Sequence, residues 1–443
     1  MSNNENNEIR DSFTSKTGFI LACIGSAVGM GNIWLFPYRV GQFGGAAFLI
    51  PYIIFIVLLG YTGLMGEFAF GRMTQTGPIG SFKKALETRN KSWGGFLGII
   101  PVIGAFGIAV GYAVVVGWFL RFLGGFITGS AMSAADSGAY FGELASPFGS
   151  IIWHLLALIL VSIVLISGIS KGIETMNKIM MPAFYILFVI VMVRVFMLDG
   201  EFEGIKYLVV PKWSSLMEPK TWIYALGQAF FSLSLAGSGM IVYGSYLKRD
   251  VDIMSSAKNT VIFDTLGAFL AGLVIIPAVF AFNLDPASGP PLLFITIPSV
   301  FKLMPFGRLF GVIFFISVLF ASITSLMNLL EVPIEAVQST FKLKRKLSVF
   351  IVVGAAFIFG LFAEDGNNLG VLMDFVSIYI IPIGAFIAAV MFFWVIGIEK
   401  AKCEIECGTD KKLGKLFEIS AKYVFVFLTI FVFIAGILLG GIG

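Results

Sequence analysis

Two stretches of this chain place glycine and serine where an apolar helix should run on unbroken. They are Gly25-Ser26-Ala27-Val28-Gly29-Met30-Gly31-Asn32 and Ser232-Leu233-Ser234-Leu235-Ala236-Gly237-Ser238-Gly239. Unwinding a helix inside a bilayer frees carbonyl and amide groups that lipid cannot satisfy. Freed carbonyls suit a bare alkali cation such as sodium, and a freed half-helix N-terminus suits a carboxylate. Either patch alone also reads as a seam of small residues for close helix packing. Two patches in corresponding spans, each flanked by hydroxyl or amide side chains, favour a binding site instead.

Further polar groups stand in apolar surroundings: Asp264 in Val-Ile-Phe-Asp-Thr-Leu-Gly, Glu67, the Thr324–Ser325 pair and Asp374. Acids within a membrane are expensive and mark function. Asp264 lies deepest between apolar turns and reads as an ion ligand. Glu67 reads as a structural acid pinning the loose backbone of a broken helix. Proton coupling through Asp264 is the rival to sodium. The Thr324–Ser325 hydroxyls favour sodium, because hydroxyls ligate an ion without titrating.

These groups need a membrane scaffold to hold them. Of the 443 residues, 58% are hydrophobic, 13% are charged and 47 are Phe, a balance that a bilayer solvates and water does not. Apolar stretches long enough to span lie near residues 17–40, 46–71, 95–128, 150–168, 179–198, 222–246, 257–283, 306–336, 347–363, 370–398 and 418–442, with ends good to about four residues. The expected fold is all-α: eleven transmembrane helices, as two inverted five-helix repeats (17–198 and 222–398) with unwound first and sixth helices, plus a C-terminal helix at 418–442. Residues 1–16 form a polar N-terminal segment with no signal peptide.

Cations cluster in alternate connections: Lys83, Lys84, Arg89 and Lys91, then Lys171, then Lys248, Arg249 and Lys258, then Lys342, Lys344, Arg345 and Lys346, then Lys400 to Lys415. No Lys or Arg occurs between 122 and 150. The positive-inside rule therefore places the N-terminus in the cytoplasm, and an odd helix count places the C-terminus outside. The membrane is expected to be the cell membrane.

Other classes are disfavoured. A net charge of +4 without a basic arm argues against nucleic acid. Cys23, Cys403 and Cys407 make no disulfide framework, and a metal at Cys403 and Cys407 would lack the one histidine, His154, which is far away. No nucleophile–base pair or phosphate loop points to an enzyme. A channel would need a repeated filter or a continuous polar path. A non-transporting amino-acid receptor would share the same site. Monomer and homodimer are equally compatible with the sequence.

Gly29-Met30-Gly31-Asn32-Ile33-Trp34-Leu35-Phe36-Pro37-Tyr38 with Gly44-Gly45-Ala46-Ala47-Phe48, Gln228-Ala229-Phe230-Phe231-Ser232-Leu233-Ser234 and Ala321-Ser322-Ile323-Thr324-Ser325 resemble the neurotransmitter:sodium symporter family over nearly the whole chain. The eleven-helix layout resembles a bacterial amino-acid branch that includes a tyrosine transporter. The resemblance implies two sodium sites. One uses the Ala27 carbonyl, Asn32, Ser232, Asp264 and the substrate carboxylate. The other uses the carbonyls of Gly25, Val28 and Ala321 with the hydroxyls of Thr324 and Ser325. A ligand shared between ion and substrate makes each raise the other's affinity. The resemblance also implies that the amides of Met30 and Gly31 and the Tyr112 hydroxyl hold an α-carboxylate. The carbonyls of Ala27, Phe231 and Ser232 and the Ser234 hydroxyl hold the ammonium, and Ile108 and Phe231 line the side-chain pocket. Tyr112 lies mid-span, which favours this role over an interfacial belt.

Departures from the family pattern refine the expectation. Gly29 stands where monoamine carriers place an Asp, so the substrate supplies its own carboxylate. Asp264 stands where Asn is common, and Ala268 where chloride-dependent members have Ser, which implies chloride independence. Gly237 replaces a bulky pocket residue and favours a large hydrophobic or aromatic amino acid. In the outer gate Leu35 replaces the usual Arg, leaving Arg39, one turn on, as the partner for Asp374. In the inner gate Arg10 and Tyr246 match, but no acid stands near 339–340.

Overall fold

A computed structural model describes residues 11–235, 238–286 and 292–442, which contain helices, turns and loops and no strand. In chain order the helices are α1 (Lys16–Ala27), α2 (Gly31–Gln42), α3 (Ala46–Thr74), α4 (Pro78–Glu87), α5 (Gly94–Thr128), α6 (Ser137–Leu144), α7 (Ile151–Ile166), α8 (Ile169–Val195) and α9 (Glu201–Val209). They continue as α10 (Pro219–Ser232), α11 (Gly239–Ser245), α12 (Ile253–Ala281), α13 (Thr296–Leu303), α14 (Gly307–Phe341), α15 (Arg345–Phe362), α16 (Gly366–Ile405) and α17 (Lys415–Leu439). Two single turns, Ser130–Ser133 and Trp213–Leu216, lie in the connections.

Eight of the described helices are long and apolar enough to cross a membrane, and the α1–α2 pair, bent by 50°, makes a ninth. α7 is shorter but apolar. Large apolar side chains such as Ile152, Ile163, Ile186, Phe350, Phe359 and Phe427 are exposed on the outer helices, as a lipid-facing surface requires. α5 and α14, 35 residues each, pack along one another at the centre, with 67% of their most apolar stretches buried against 28% for α15 and α17. The inner helices therefore carry the site and the outer ones meet lipid.

Both expected breaks occur. α1 ends at Ala27, and Val28 is extended with ψ of 105°. Gly31–Leu35 then opens α2 with a wide π-helical turn. α10 ends at Ser232 and α11 begins at Gly239, with Ser234 and Ser238 in left-handed conformations (φ of 53° each) that cost non-glycine residues on the order of 1–2 kcal/mol. Glu67 on α3 lies beside the Met240 and Ile241 amides in the first turn of α11, and its Oε2 has no hydrogen-bond partner among the described residues. Gly237 and Arg10 lie outside the described residues.

Three boundaries differ by more than about four residues: the spans expected to end near 336 and 398 run on to Phe341 and Ile405, and the largest difference is at a start. The stretch expected near 179–198 begins at Ile169. The polar residues that hid this start are satisfied by tertiary contacts. Glu174 accepts hydrogen bonds from Thr14 N (2.7 Å), Thr14 Oγ1 (2.7 Å), Ser15 Oγ (2.8 Å) and Lys178 Nζ (2.7 Å). Asp11 accepts from Ile169 N at 2.5 Å. The segment before α1 is thereby tied to the start of α8.

Candidate functional site

Asp264, fully buried on α12, is where the two breaks meet. Asn32 Nδ2 donates to Asp264 Oδ1 at 2.8 Å and to its carbonyl at 3.0 Å, and Ser232 Oγ donates to Oδ2 at 2.8 Å. Tyr52 OH is 3.5 Å from Ser232 Oγ. Asn32 and Asp264 are 232 residues apart in sequence, so only the fold makes this cluster. Among the described residues no Lys, Arg or His pairs with the Asp264 carboxylate. A buried carboxylate with neutral donors alone is electrostatically incomplete, and the oxygens around it suit a small hard cation. Ala268, one turn along α12, is buried and offers no hydroxyl.

A second oxygen-rich cluster forms where α1 ends against α14. The Ser26 carbonyl accepts from Ser325 Oγ at 3.1 Å and from Ser234 Oγ at 2.9 Å. Thr324 Oγ1 donates to the carbonyls of Ala321 (2.9 Å) and Phe320 (3.0 Å). Gly25 lies against Thr324: a Cβ there would stand 3.1 Å from Thr324 Oγ1. Each hydroxyl spends its proton on a carbonyl and keeps lone pairs for a cation. Val28 abuts α12, where a Cβ on Gly267 would be 3.2 Å from its Cγ2. Gly25, Val28, Ala321, Thr324 and Ser325 thus lie around the end of α1.

Against the second cluster, and lined by the chain neighbours of Asn32 and Ser232 from the first, is a cavity of about 50 Å³. Its lining includes seven of the residues expected to hold substrate, Ala27, Met30, Gly31, Ile108, Tyr112, Phe231 and Ser234, and Ser325 of the expected sodium site. Met30 N donates to Tyr112 OH at 2.9 Å, so the amide and hydroxyl expected to share a carboxylate already face each other. The Phe231 ring covers Gly31, 3.0 Å from where a Cβ would be. Ser232 is not on the cavity wall; its hydroxyl serves Asp264. The lining also includes Ser26, Ala105, Gly239, Asn328, Leu329, Val332 and Ile381. Ala105 lies one turn before Ile108, and Asn328, Leu329 and Val332 lie three, four and seven residues after Ser325. That helical spacing was the available signal.

The gates divide. Arg39 donates to Gln42 Oε1 at 3.0 Å and lies 4.4 Å from the Tyr224 ring centroid and 5.2 Å from that of Tyr38. Asp374 is exposed on α16, and no ion pair joins it to Arg39 among the described residues. The expected outer pair is therefore not brought together here. Two aromatic faces and a local amide suit a half-desolvated guanidinium and hold it on its own side. At the opposite end of the bundle, where Phe13 N meets the Tyr246 carbonyl at 3.3 Å, Tyr246 OH donates to Glu331 Oε1 at 2.8 Å. Arg345 completes a bidentate pair with Glu331 at 2.9 and 2.7 Å and donates Nε to the Leu165 carbonyl at 2.6 Å. Tyr246 is thus paired with Glu331, about two turns before the 339–340 stretch that lacks an acid for Arg10. Its setting, Leu-Leu-Glu-Val-Pro, was itself a signal of an intramembrane acid.

This geometry has close relatives. The sodium-dependent transporter YhdH of Bacillus subtilis is 36% identical over 432 residues, covering 94% of each chain. The sodium-dependent transporter MJ1319 of Methanocaldococcus jannaschii is 32% identical over 466 residues, covering 98% of this chain and 92% of its own. The crystal structure of MhsT in complex with L-phenylalanine matches with a TM-score of 0.87 at 34% identity, over 96% of this chain and 100% of that one. The sodium:neurotransmitter symporter family model matches residues 10–132 and 141–439, and the chain belongs to that family of sodium-dependent membrane transporters.

Proposed function

We propose that this protein imports large hydrophobic or aromatic L-amino acids across the cell membrane, by alternating access, with two sodium ions and without chloride. The observation that carries the reading is the facing Met30 amide and Tyr112 hydroxyl, on a cavity whose wall residues Gly31 and Phe231 adjoin Asn32 and Ser232, the neutral partners of the buried Asp264 carboxylate. An amino-acid carboxylate that displaces the Met30–Tyr112 bond accepts from both groups and completes the shell of a neighbouring cation. The ammonium meets the Ser234 hydroxyl and the carbonyls freed at the breaks, and apolar walls at Ala105, Ile108, Phe231, Val332 and Ile381 suit an apolar side chain. L-phenylalanine is the ligand of the MhsT complex, which favours the same substrate class here. As a family member the chain is a transporter and not an enzyme.

The topology that goes with this function has eleven spans: the eight long helices, the α1–α2 and α10–α11 pairs and α7. The two pairs are the first and sixth spans, in equivalent places of two inverted repeats at 17–198 and 222–398, with α17 as the eleventh. The N-terminus is cytoplasmic and the C-terminus is outside. The Asp264 charge replaces chloride.

Uptake of radiolabelled phenylalanine, tyrosine, tryptophan and leucine into proteoliposomes tests the reading. Uptake should require an inward sodium gradient, fail in potassium, survive replacement of chloride by gluconate, and favour an aromatic. Uptake indifferent to sodium but driven by a pH gradient would overturn it and recast Asp264 as a proton carrier.

Gly29 supplies a narrower check. A Cβ there would overlap the Tyr112 hydroxyl and stand 2.9 Å from Ser325 Oγ. Overpacking of about 1–3 kcal/mol should weaken amino-acid binding by Gly29→Ala about ten- to hundredfold. Binding of labelled substrate to the purified variant at saturating sodium measures it, and unchanged affinity would separate Tyr112 from the substrate.

A further inference from the structure

Asn177 on α8 has no place in the sites described so far, yet its chemistry matches theirs. It is fully buried. Its Nδ2 donates to the Ile173 carbonyl, one turn earlier, at 2.8 Å. That bond fixes the amide orientation, because a carbonyl only accepts and the nitrogen must face it. The Oδ1 therefore points away from its own helix, and among the described residues no donor reaches it. It points at Gly25: a Cβ built there would overlap Asn177 Oδ1 on one side and stand 2.9 Å from Thr324 Cβ on the other. Gly25 is thus the meeting point of α1, α8 and α14.

A buried amide oxygen without a donor costs on the order of 1–3 kcal/mol, and a Cα–H contact from glycine returns only part of that. This oxygen is also held in place. Three residues earlier, Glu174 ties α8 to Thr14 and Ser15 at the start of α1. A fixed, neutral, hard oxygen beside a group of carbonyls and hydroxyls is what an alkali cation uses.

We propose that Asn177 Oδ1 is a ligand of the bound second sodium ion, holding it on the α8 side of Gly25 beside the Thr324–Ser325 hydroxyls. The inference rests on the proposed second sodium site. It adds a carboxamide from a helix that the expected ligand set does not include.

The test uses the full-length protein in detergent or proteoliposomes, with labelled phenylalanine binding titrated by sodium and by lithium. Asn177→Leu removes the oxygen at similar size. It should raise the half-saturating sodium concentration about tenfold, the scale of one lost contact to a charge, while substrate affinity at saturating sodium stays within about twofold. Asn177→Asp should lower half-saturation below that of the native protein and shift the sodium-to-lithium preference. A merely structural amide predicts the reverse, because the carboxylate would face the Ile173 carbonyl and weaken the protein without altering cation preference. Thr324→Val tests the underlying site separately. If Thr324→Val shifts the sodium curve while both Asn177 variants titrate like the native protein, the role of Asn177 is overturned and the site stands. If Thr324→Val leaves the curve unchanged, the second site itself falls, and the proposal falls with it. Should Asn177→Leu fail to reach the membrane, Asn177→Asp decides alone: unchanged half-saturation and cation preference overturn the proposal.

Discussion

Asp264→Asn is expected to reduce sodium-driven uptake by about two orders of magnitude, and Asp264→Ala to abolish it. A unit charge about 4 Å from a cation, at an effective dielectric of about 20, contributes about 4 kcal/mol. Relief of carboxylate desolvation in the variant offsets part of this, and about 3 kcal/mol corresponds to the expected loss. The amide keeps an oxygen for the ion but carries no charge. It also sets a second amide against the Asn32 Nδ2 and Ser232 Oγ donors, which the carboxylate now accepts at 2.8 Å each. The alanine leaves the buried Ser232 hydroxyl without its acceptor and Asn32 Nδ2 with only the backbone carbonyl of residue 264. Half-saturating sodium and maximal uptake, measured separately, locate the effect: the sodium requirement should rise far more than substrate affinity at saturating sodium falls. If Asp264 takes the place of chloride, Asp264→Asn combined with Ala268→Ser should recover uptake in chloride and lose it in gluconate. Uptake by Asp264→Asn at native sodium concentrations would remove the carboxylate from the ion site.

What the sequence revealed follows a physical divide. Asp264, Glu67 and the two Gly-Ser patches were legible because each violates local helical or apolar expectation, and a membrane has few reasons to tolerate that. The breaks at Val28 and between Ser232 and Gly239 stand where those patches are. Partnerships were less legible. The start of α8 at Ile169 was hidden because Lys171 and Glu174 read as a connection, and Thr14 and Ser15, about 160 residues away, join the local Lys178 in satisfying Glu174. Arg39 was expected to seek a distant acid and instead sits on the Tyr38 and Tyr224 rings with Gln42. Ser26 escaped notice because its role is its carbonyl, which any residue supplies. Asn177 looks like an ordinary helix polar residue until α1 and α14 are placed against it.

Arg345→Ala is the second change with a large expected effect. Glu331 has a fully buried side chain, and Arg345 is its bidentate partner with a side chain 18% exposed. Removing one member of a buried pair costs about 3–5 kcal/mol, because the remaining charge is left without compensation. The Tyr246 hydroxyl cannot neutralise that carboxylate, so water must reach it. In the proposed orientation this water enters from the cytoplasm, between α11, α14 and α15. The variant should therefore lower the thermal unfolding midpoint and shift the population toward a form open on that side by more than about a hundredfold. A Ser245→Cys reporter, buried next to Tyr246, in a background with Cys403→Ser and Cys407→Ser, reads the second effect as faster labelling by a hydrophilic thiol reagent. General loosening is separated by the neutral pair Arg345→Met with Glu331→Gln. Replacing both charges with groups of similar volume is close to neutral for stability, so this double variant should recover the unfolding midpoint and slow labelling again. If it labels as fast as Arg345→Ala while its midpoint is restored, the pair controls access by its charge and not by its packing. If Arg345→Ala alone labels at the native rate with a native midpoint, the Tyr246–Glu331–Arg345 contact holds nothing closed.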